Sequence, residues 1–314
     1  MKQRAVVGID VGGSHVSVGI VLEEGRVLYS LQYPQEYCDS SLWSENLAEH
    51  IEEVLGQKPE DVMIEAFGIG FRGHVDFKRQ LLTKSSILNV EKGFDICGFL
   101  KERFRIPAYI DNDVKAAACG ELLFGAGKKY QNFICYNVGT GIAAALILDG
   151  KLVRGWENNA GEIGDDLFAG TEPGKAGKGL EAMASGKGIE DEAALHRKDF
   201  PDSVLFKSKE RVTAKEIVKA CRQGDPLGVF VIRQAVEALA VSIVNMGHLV
   251  DPEAFLFTGG VVSETWFFDQ LKEKVGQLQD ILGEKQIRKL ERSEFASKCS
   301  GPLGAAAVGF YGAE

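Results

Sequence analysis

The chain has 314 residues, 45% hydrophobic and 26% charged, which fits a globular protein whose core is large enough for about two domains. A net charge of −9 excludes nucleic acid as the main partner, because backbone phosphates need a basic surface, but it does not forbid one small anionic site in a cleft. No uninterrupted apolar run approaches the ~20 residues of a membrane span. Met1-Lys2-Gln3-Arg4 leads into a strand without a signal peptide's apolar core, so a cytoplasmic protein with no membrane partner is expected.

The opening third reads β-β-β-α: strands near 4–11, 15–22 and 26–33, then a helix near 42–55 with Leu42, Leu47, Ile51, Val54 and Leu55 near one face. Ile64 to Gly70 reads as a strand and Phe94 to Phe104 as a helix. Ile106 to Ile110 is a short strand that delivers Asp111-Asn112-Asp113 to an alanine-rich helix. A second hairpin spans 132–149, and from 180 onward the pattern is mainly helical. Thr213 and Glu216 form a capping-box pattern. Asp225-Pro226 starts a long apolar helix that stops before Asp251-Pro252. That helix carries apolar residues on more than one face, which reads first as burial and second as a homodimer interface. Phe255 to Phe257 is a strand ending in Gly259-Gly260, and Gly301 to Val308 is a last helix.

Two turns carry the chemistry. Asp10-Val11-Gly12-Gly13-Ser14 follows the first strand, and Asn137-Val138-Gly139-Thr140-Gly141 repeats the plan after Phe133 to Tyr136. Glycine has no Cβ to hold an anion away, so backbone N–H groups at such turns close on phosphate oxygens. Asp10 suits a Mg²⁺ ion held through water. One such turn alone reads as an ordinary tight β-turn, whereas a matched pair favours phosphate binding. Asp113, leaving a strand at a helix N-terminus, suits a general base, since phosphoryl transfer to an alcohol needs a carboxylate in reach of the attacking hydroxyl. The alternative is that Asp111, Asn112 or Asp113 only caps the helix.

Six cysteines (Cys38, Cys97, Cys119, Cys135, Cys221 and Cys299) form no C-x-x-C pair and read as buried thiols. Five histidines (His15, His50, His74, His196 and His248) form no i, i+4 pair for zinc. Neither G-x-S-x-G nor G-x-x-x-x-G-K-[ST] occurs, which removes the main support for a serine hydrolase or a P-loop enzyme.

Taken in order, the two glycine turns, Tyr109 to Glu121, Ala160-Gly161-Glu162-Ile163-Gly164, Gly179-Leu180-Glu181 and Leu256-Phe257-Thr258-Gly259-Gly260 resemble the ROK family of sugar kinases and sugar-responsive repressors. That family lies in the actin-like ATPase superfamily, and the resemblance runs from residue 4 to about residue 262. It implies an α/β, two-domain actin-like (ribonuclease H-like) fold with an interdomain cleft. The expected domains are 1–112 plus 299–314, with the last helix returning to the first domain, and 113–298. Gly12, Gly13, Ser14, Gly139, Thr140 and Gly141 would hold phosphate, and Gly259 and Gly260 adenosine. Asp113 would be the catalytic base, with Asn112, Glu162 and Glu181 on the sugar. Gly73-His74-Val75-Asp76 resembles a family turn beside the sugar, where His74 is either structural or functional.

The resemblance breaks at one place. Many members bind zinc through one histidine and three cysteines, and here those positions hold Asp165, Glu172, Gly174 and Gly179. Two carboxylates and two glycines do not make a tetrahedral N/S site, so no zinc is expected. Asp165 then takes the place of a histidine that helps read the sugar. The implied reaction is ATP–Mg²⁺-dependent phosphorylation of a hexose hydroxyl, with O6 expected, of a glucose-like sugar, an N-acetylhexosamine or fructose. The rivals are a non-catalytic sugar sensor and a kinase using another donor such as polyphosphate. Nothing before residue 4 resembles the DNA-binding domain of the repressors.

Overall fold

In the computed structural model, residues 2–35, 39–88, 90, 93–169, 176–207, 210–283, 285–293 and 300–312 are described. The first sheet is built around β1 (Gln3–Val11), buried from Ala5 to Ile9 because both of its faces are covered. β2 (His15–Leu22) pairs antiparallel with β1, and β3 (Val27–Pro34) antiparallel with β2. β4 (Val62–Phe71) runs parallel to β1, and β7 (Ala108–Asn112) parallel to β4, giving the order β3-β2-β1-β4-β7. The hairpin of β5 (Gly73–Asp76) and β6 (Leu81–Ser85) lies apart from this sheet in the strand order.

Alternate residues of β1 enter different clusters, as the two-residue period of a strand requires. Ala5, Val7, Ile9 and Val11 pack with Leu47 and Ile51 of α1 (Ser40–Gly56) and with Ile96 and Leu100 of α2 (Ile96–Phe104). Val6 packs instead with Leu303 and Ala306 of α9 (Ser300–Gly312). Glycine permits that close approach: a Cβ on Gly8 would lie 1.9 Å from the Pro302 carbonyl oxygen, and one on Gly68 2.0 Å from that of Ala305. The last helix is therefore part of the first sheet's cover.

The second sheet contains β8 (Phe133–Val138), β9 (Ile142–Leu148), β10 (Lys151–Val153), β13 (Ala254–Thr258) and β14 (Leu290–Arg292), in the order β10-β9-β8-β13-β14. β13 is parallel to both β8 and β14, and β10 is antiparallel to β9. Counted within each set, both sheets read third, second, first, fourth, fifth. This repetition is what the two matched glycine turns anticipate.

The chain divides into two compact units, Met1–Gln131 with Ala145–Ala160 and Ser293–Glu314, and Asn132–Ala144 with Gly161–Arg292. The sequence boundary fell before Asp113. α3 (Asp113–Phe124) packs against α9, so the first unit runs on to Gln131. In the second unit, α7 (Pro226–Val250) packs against α4 (Leu180–Ala184), α5 (Gly186–His196), α6 (Ala214–Arg222) and α8 (Thr265–Leu282). Asp225 caps α7 by accepting from the Gly228 N–H at 3.0 Å, and Asp251 ends it with φ 49°. By length and composition alone α7 could cross a membrane, despite Arg233 and Glu237. Its Val231, Ile232, Leu239 and Ile243 are buried, which suits the core helix expected from its apolar faces. The capping box at Thr213 and Glu216 is present at the start of α6.

Candidate active site

In the first unit, β1 delivers Asp10 to the glycine turn, which closes when the Gly12 N–H donates to the His15 carbonyl at 3.0 Å. Desolvation, and secondarily the charge of Asp113, push the Asp10 carboxyl up to about 7. Gly70 of β4 lies against both groups: a Cβ there would stand 3.7 Å from Asp10 Oδ1 and from the Asp113 Cα, and 3.0 Å from the Ala116 Cβ. The Asp113 charge is thus close enough to disfavour ionisation of Asp10. Arg72, just past β4, was not found by sequence reasoning. Its Nη1 lies 2.8 Å from where a Cβ on Gly13 would stand, and its guanidinium has no ion pair among the described residues. No motif marks it; only the pairing of β1 with β4 brings it there.

Asp111, fully buried at the end of β7, anchors the next segment. It forms an ion pair with Arg154, accepts from Asn158 Nδ2 at 3.0 Å, and accepts from the Asn112 backbone N–H at 2.9 Å. Asn158 Nδ2 also reaches the Val75 carbonyl at 3.2 Å, and the Arg154 guanidinium lies 3.4 Å over the Phe77 ring. Arg154 and Asn158 were also missed, being more than 40 residues from Asp111 in sequence.

Asn112 is the cap of α3, its Oδ1 accepting from the N–H groups of Val114 at 2.9 Å and Lys115 at 3.3 Å. Its Nδ2 donates to the Gly73 carbonyl at 3.1 Å. Of its hydrogen-bonding capacity toward a sugar, chiefly the second N–H of Nδ2 is left. The capping duty thus falls mainly on Asn112, while half-buried Asp113, at the first turn of α3, accepts from the Val114 N–H at 3.0 Å. His74 is exposed, with Nδ1 3.4 Å from Asn159 Oδ1. Ser14 Oγ sits 3.0 Å from His15 Nδ1.

In the second unit, the Gly139 N–H donates to the Gly141 carbonyl at 3.0 Å. Glu181, at the start of α4, accepts from the Ile142 N–H at 2.8 Å, and a Cβ on Gly141 would lie 2.5 Å from Glu181 Oε2. The expected sugar carboxylate is therefore held against the second glycine turn. Glu162 and Asp165 are exposed at the two ends of a single 3₁₀ turn, with the Ala144 N–H donating to Gly161 at 2.7 Å. Gly164 of that turn lies beside Glu181, since a Cβ on it would be 3.3 Å from the Glu181 Cβ. Of the four positions set aside for zinc, Asp165 is exposed and Gly179 precedes α4, while Glu172 and Gly174 lie outside the described residues. Among the described residues, no group of three or more His, Cys, Asp or Glu is placed to hold a metal.

A cavity of about 580 Å³ gathers Gly139, Thr140 and Gly260 with Gly186 and Lys187 of α5 and Lys215 of α6. Gly259 beside it has φ +101°, and a Cβ there would stand 2.4 Å from the Val138 carbonyl carbon, so only glycine fits. The Gly186 N–H donates to the Gly139 carbonyl at 2.7 Å, joining α5 to the turn. Of the residues expected at phosphate and adenosine, Gly139, Thr140 and Gly260 line this pocket, which has the size of a small-molecule site, whereas Gly12, Gly13 and Ser14 do not. The α5 and α6 contributions carry no glycine motif and were not anticipated.

Two glycine turns on two sheets of the same strand order define an actin-like, ribonuclease H-like fold. The chain belongs to the ROK family, whose model matches residues 6–308. A glucokinase of Streptomyces coelicolor is 30% identical over 272 residues, 82% of each chain. The crystal structure of a ROK hexokinase from Thermus thermophilus superposes with a TM-score of 0.83 at 26% identity, covering 98% of both chains. A ROK family glucokinase from Streptomyces griseus, in complex with glucose and AMPPNP, superposes with a TM-score of 0.77 at 26% identity, covering 98% of this chain and 99% of that one.

Proposed function

We propose that this protein, a ROK carbohydrate kinase, transfers the γ-phosphoryl group of ATP to a hexose hydroxyl, with O6 the expected acceptor and Asp113 the base. The observation that carries the reading is the Asp10–Asp113 pair beside the first glycine turn. Asn112 supplies the cap of α3, and Asp113 beside it is assigned the role of accepting the proton of the attacking hydroxyl. Asn112, Glu162, Asp165 and Glu181 are each assigned as sugar ligands, beside Asp113 as the base. Carboxylates suit that task because each accepts from vicinal hydroxyls. The pocket at Gly139, Thr140 and Gly260 is assigned to the nucleotide. Magnesium, held by Asp10 through water, would neutralise charge on the donor phosphates. A cytoplasmic location is expected of such an enzyme.

Support for ATP as donor comes from the AMPPNP bound by the Streptomyces griseus relative, and for a glucose-like acceptor from its bound glucose. A coupled assay across glucose, mannose, N-acetylhexosamines and fructose, run with ATP and again with polyphosphate, tests the reading. Sugar-stimulated ADP release is expected. Sugar binding without turnover from either donor would leave the sensor reading, and turnover from polyphosphate alone would replace the donor.

A further inference from the structure

Outside the residues assigned above, the first unit holds a second cavity, of about 510 Å³, between the β5–β6 hairpin and the loop 154–159. Its lining includes His74, Lys78, Trp156, Glu157 and Asn159. Trp156 is 85% exposed. A lone exposed aromatic is ordinary on a protein surface. What distinguishes Trp156 is the way its loop is built. Both ends are pinned to the same buried carboxylate, Arg154 and Asn158 each reaching Asp111. The Ala160 N–H closes the loop onto the Arg154 carbonyl at 3.1 Å, and Asn158 is held at φ 61°. The chain therefore fixes this loop firmly while leaving its largest apolar side chain in water. The indole is also positioned, with Lys78 Nζ 4.7 Å from its centroid.

We propose that this cavity is a subsite for a second sugar ring, so that the preferred acceptor is a disaccharide or other glycoside rather than a free hexose. A pyranose ring has a flat C–H face for an indole and a rim of hydroxyls for hydrogen bonding. The lining matches that split: Trp156 offers the platform, and Asn159, Glu157, Asp76 and Lys84 offer donors and acceptors of both kinds. Arg154 is paired with Asp111, and Lys78 and Lys84 are offset by Asp76 and Glu157, so the lining favours a neutral polyhydroxylated ligand over an anion. The volume is ample for one ring. The cavity also adjoins the chemistry. His74 lines it, and the carbonyl of the preceding Gly73 accepts from Asn112, the neighbour of Asp113. The Asp111 clamp sets both the platform loop and the catalytic segment.

The proposal rests on the kinase reading for the position of the first ring. Calorimetric titration of the full chain without nucleotide, using glucose, cellobiose, maltose and N,N′-diacetylchitobiose, separates binding from turnover. At least one disaccharide is expected to bind fivefold or more tightly than its own monosaccharide. Trp156→Ala should erase that gain and leave monosaccharide affinity within twofold, and Trp156→Tyr should keep most of it. An equal loss for mono- and disaccharides, or no gain from a second ring in the unmodified protein, overturns the subsite. If hexoses are phosphorylated and the second ring adds nothing, the subsite fails and the kinase stands. A Trp156-dependent gain with no turnover of any sugar leaves the subsite in place and removes the kinase.

Discussion

Asp113→Asn keeps the size and hydrogen-bonding reach of the side chain and removes its basicity. Turnover should fall by roughly 10²–10⁴, with sugar affinity by calorimetry within a few-fold. Sugar-dependent turnover near that of the unmodified enzyme would show that Asp113 is not the base. Asp10 makes a different prediction, in pH. Its folded carboxyl is raised from 3.8 to about 7, so between those values the native state keeps a proton that the unfolded chain has lost. Stability of the ligand-free protein therefore falls as pH rises from about 4 to 7, and is lowest once Asp10 ionises. Asp10→Asn should raise the ligand-free melting temperature at pH 8, with little effect at pH 4, while depressing turnover. A melting temperature at pH 8 that Asp10→Asn lowers would contradict the strain assigned to this carboxylate. Arg72 adds a cation beside Gly13. If it meets donor phosphate, Arg72→Met should cut kcat/KM for ATP by roughly tenfold or more, with Arg72→Lys recovering part of it. Equal kcat/KM in all three proteins would place Arg72 outside the donor site.

At the level of elements, what the sequence made legible was what local periodicity encodes. The five strands of the first sheet, α7 with its Asp225 cap, and the capping box of α6 all carry their signals within a few residues. The β5–β6 hairpin escaped because its four- and five-residue strands are too short for a period to emerge. The glycine turns were readable, while the partners that arm them were not. Arg72, Arg154 and the α5 and α6 residues reach their positions through pairing and packing that no local pattern records. The value of these non-local contacts can be measured. A Cβ on Gly68 would strike the Ala305 carbonyl, so Gly68→Ala must displace α9 and should cost about 3 kcal/mol, read as a lower denaturation midpoint. Gly260→Ala meets nothing within 4 Å and should melt normally while weakening nucleotide binding in the cavity it lines. If Gly68→Ala unfolds at the same denaturant concentration as the unmodified chain, α9 is not held by that contact.

Across the whole molecule, two sheets of one strand order each present a glycine turn, and the functional groups attach to them in two sets. The duplication was legible because both turns kept their spacing from the preceding strand. The domain boundary was not, because nothing in the sequence around Asp113 announces that α3 packs against a helix almost two hundred residues later. The departure from the family's zinc motif is also a property of the whole chain. Glu181 accepts from the Ile142 N–H and lies against Gly141 and Gly164, contacts that would hold it without a metal. Asp165 has neither the imidazole nor the thiolate that a tetrahedral zinc site is built from. Metal analysis of the purified protein should find far less than one zinc per chain. A chelator should reduce activity only in a manner that magnesium restores, because the oxygen donors at Asp10 and Asp113 suit the harder ion. Stoichiometric zinc that survives dialysis, with activity lost on its removal and recovered with zinc but not magnesium, would overturn this assignment.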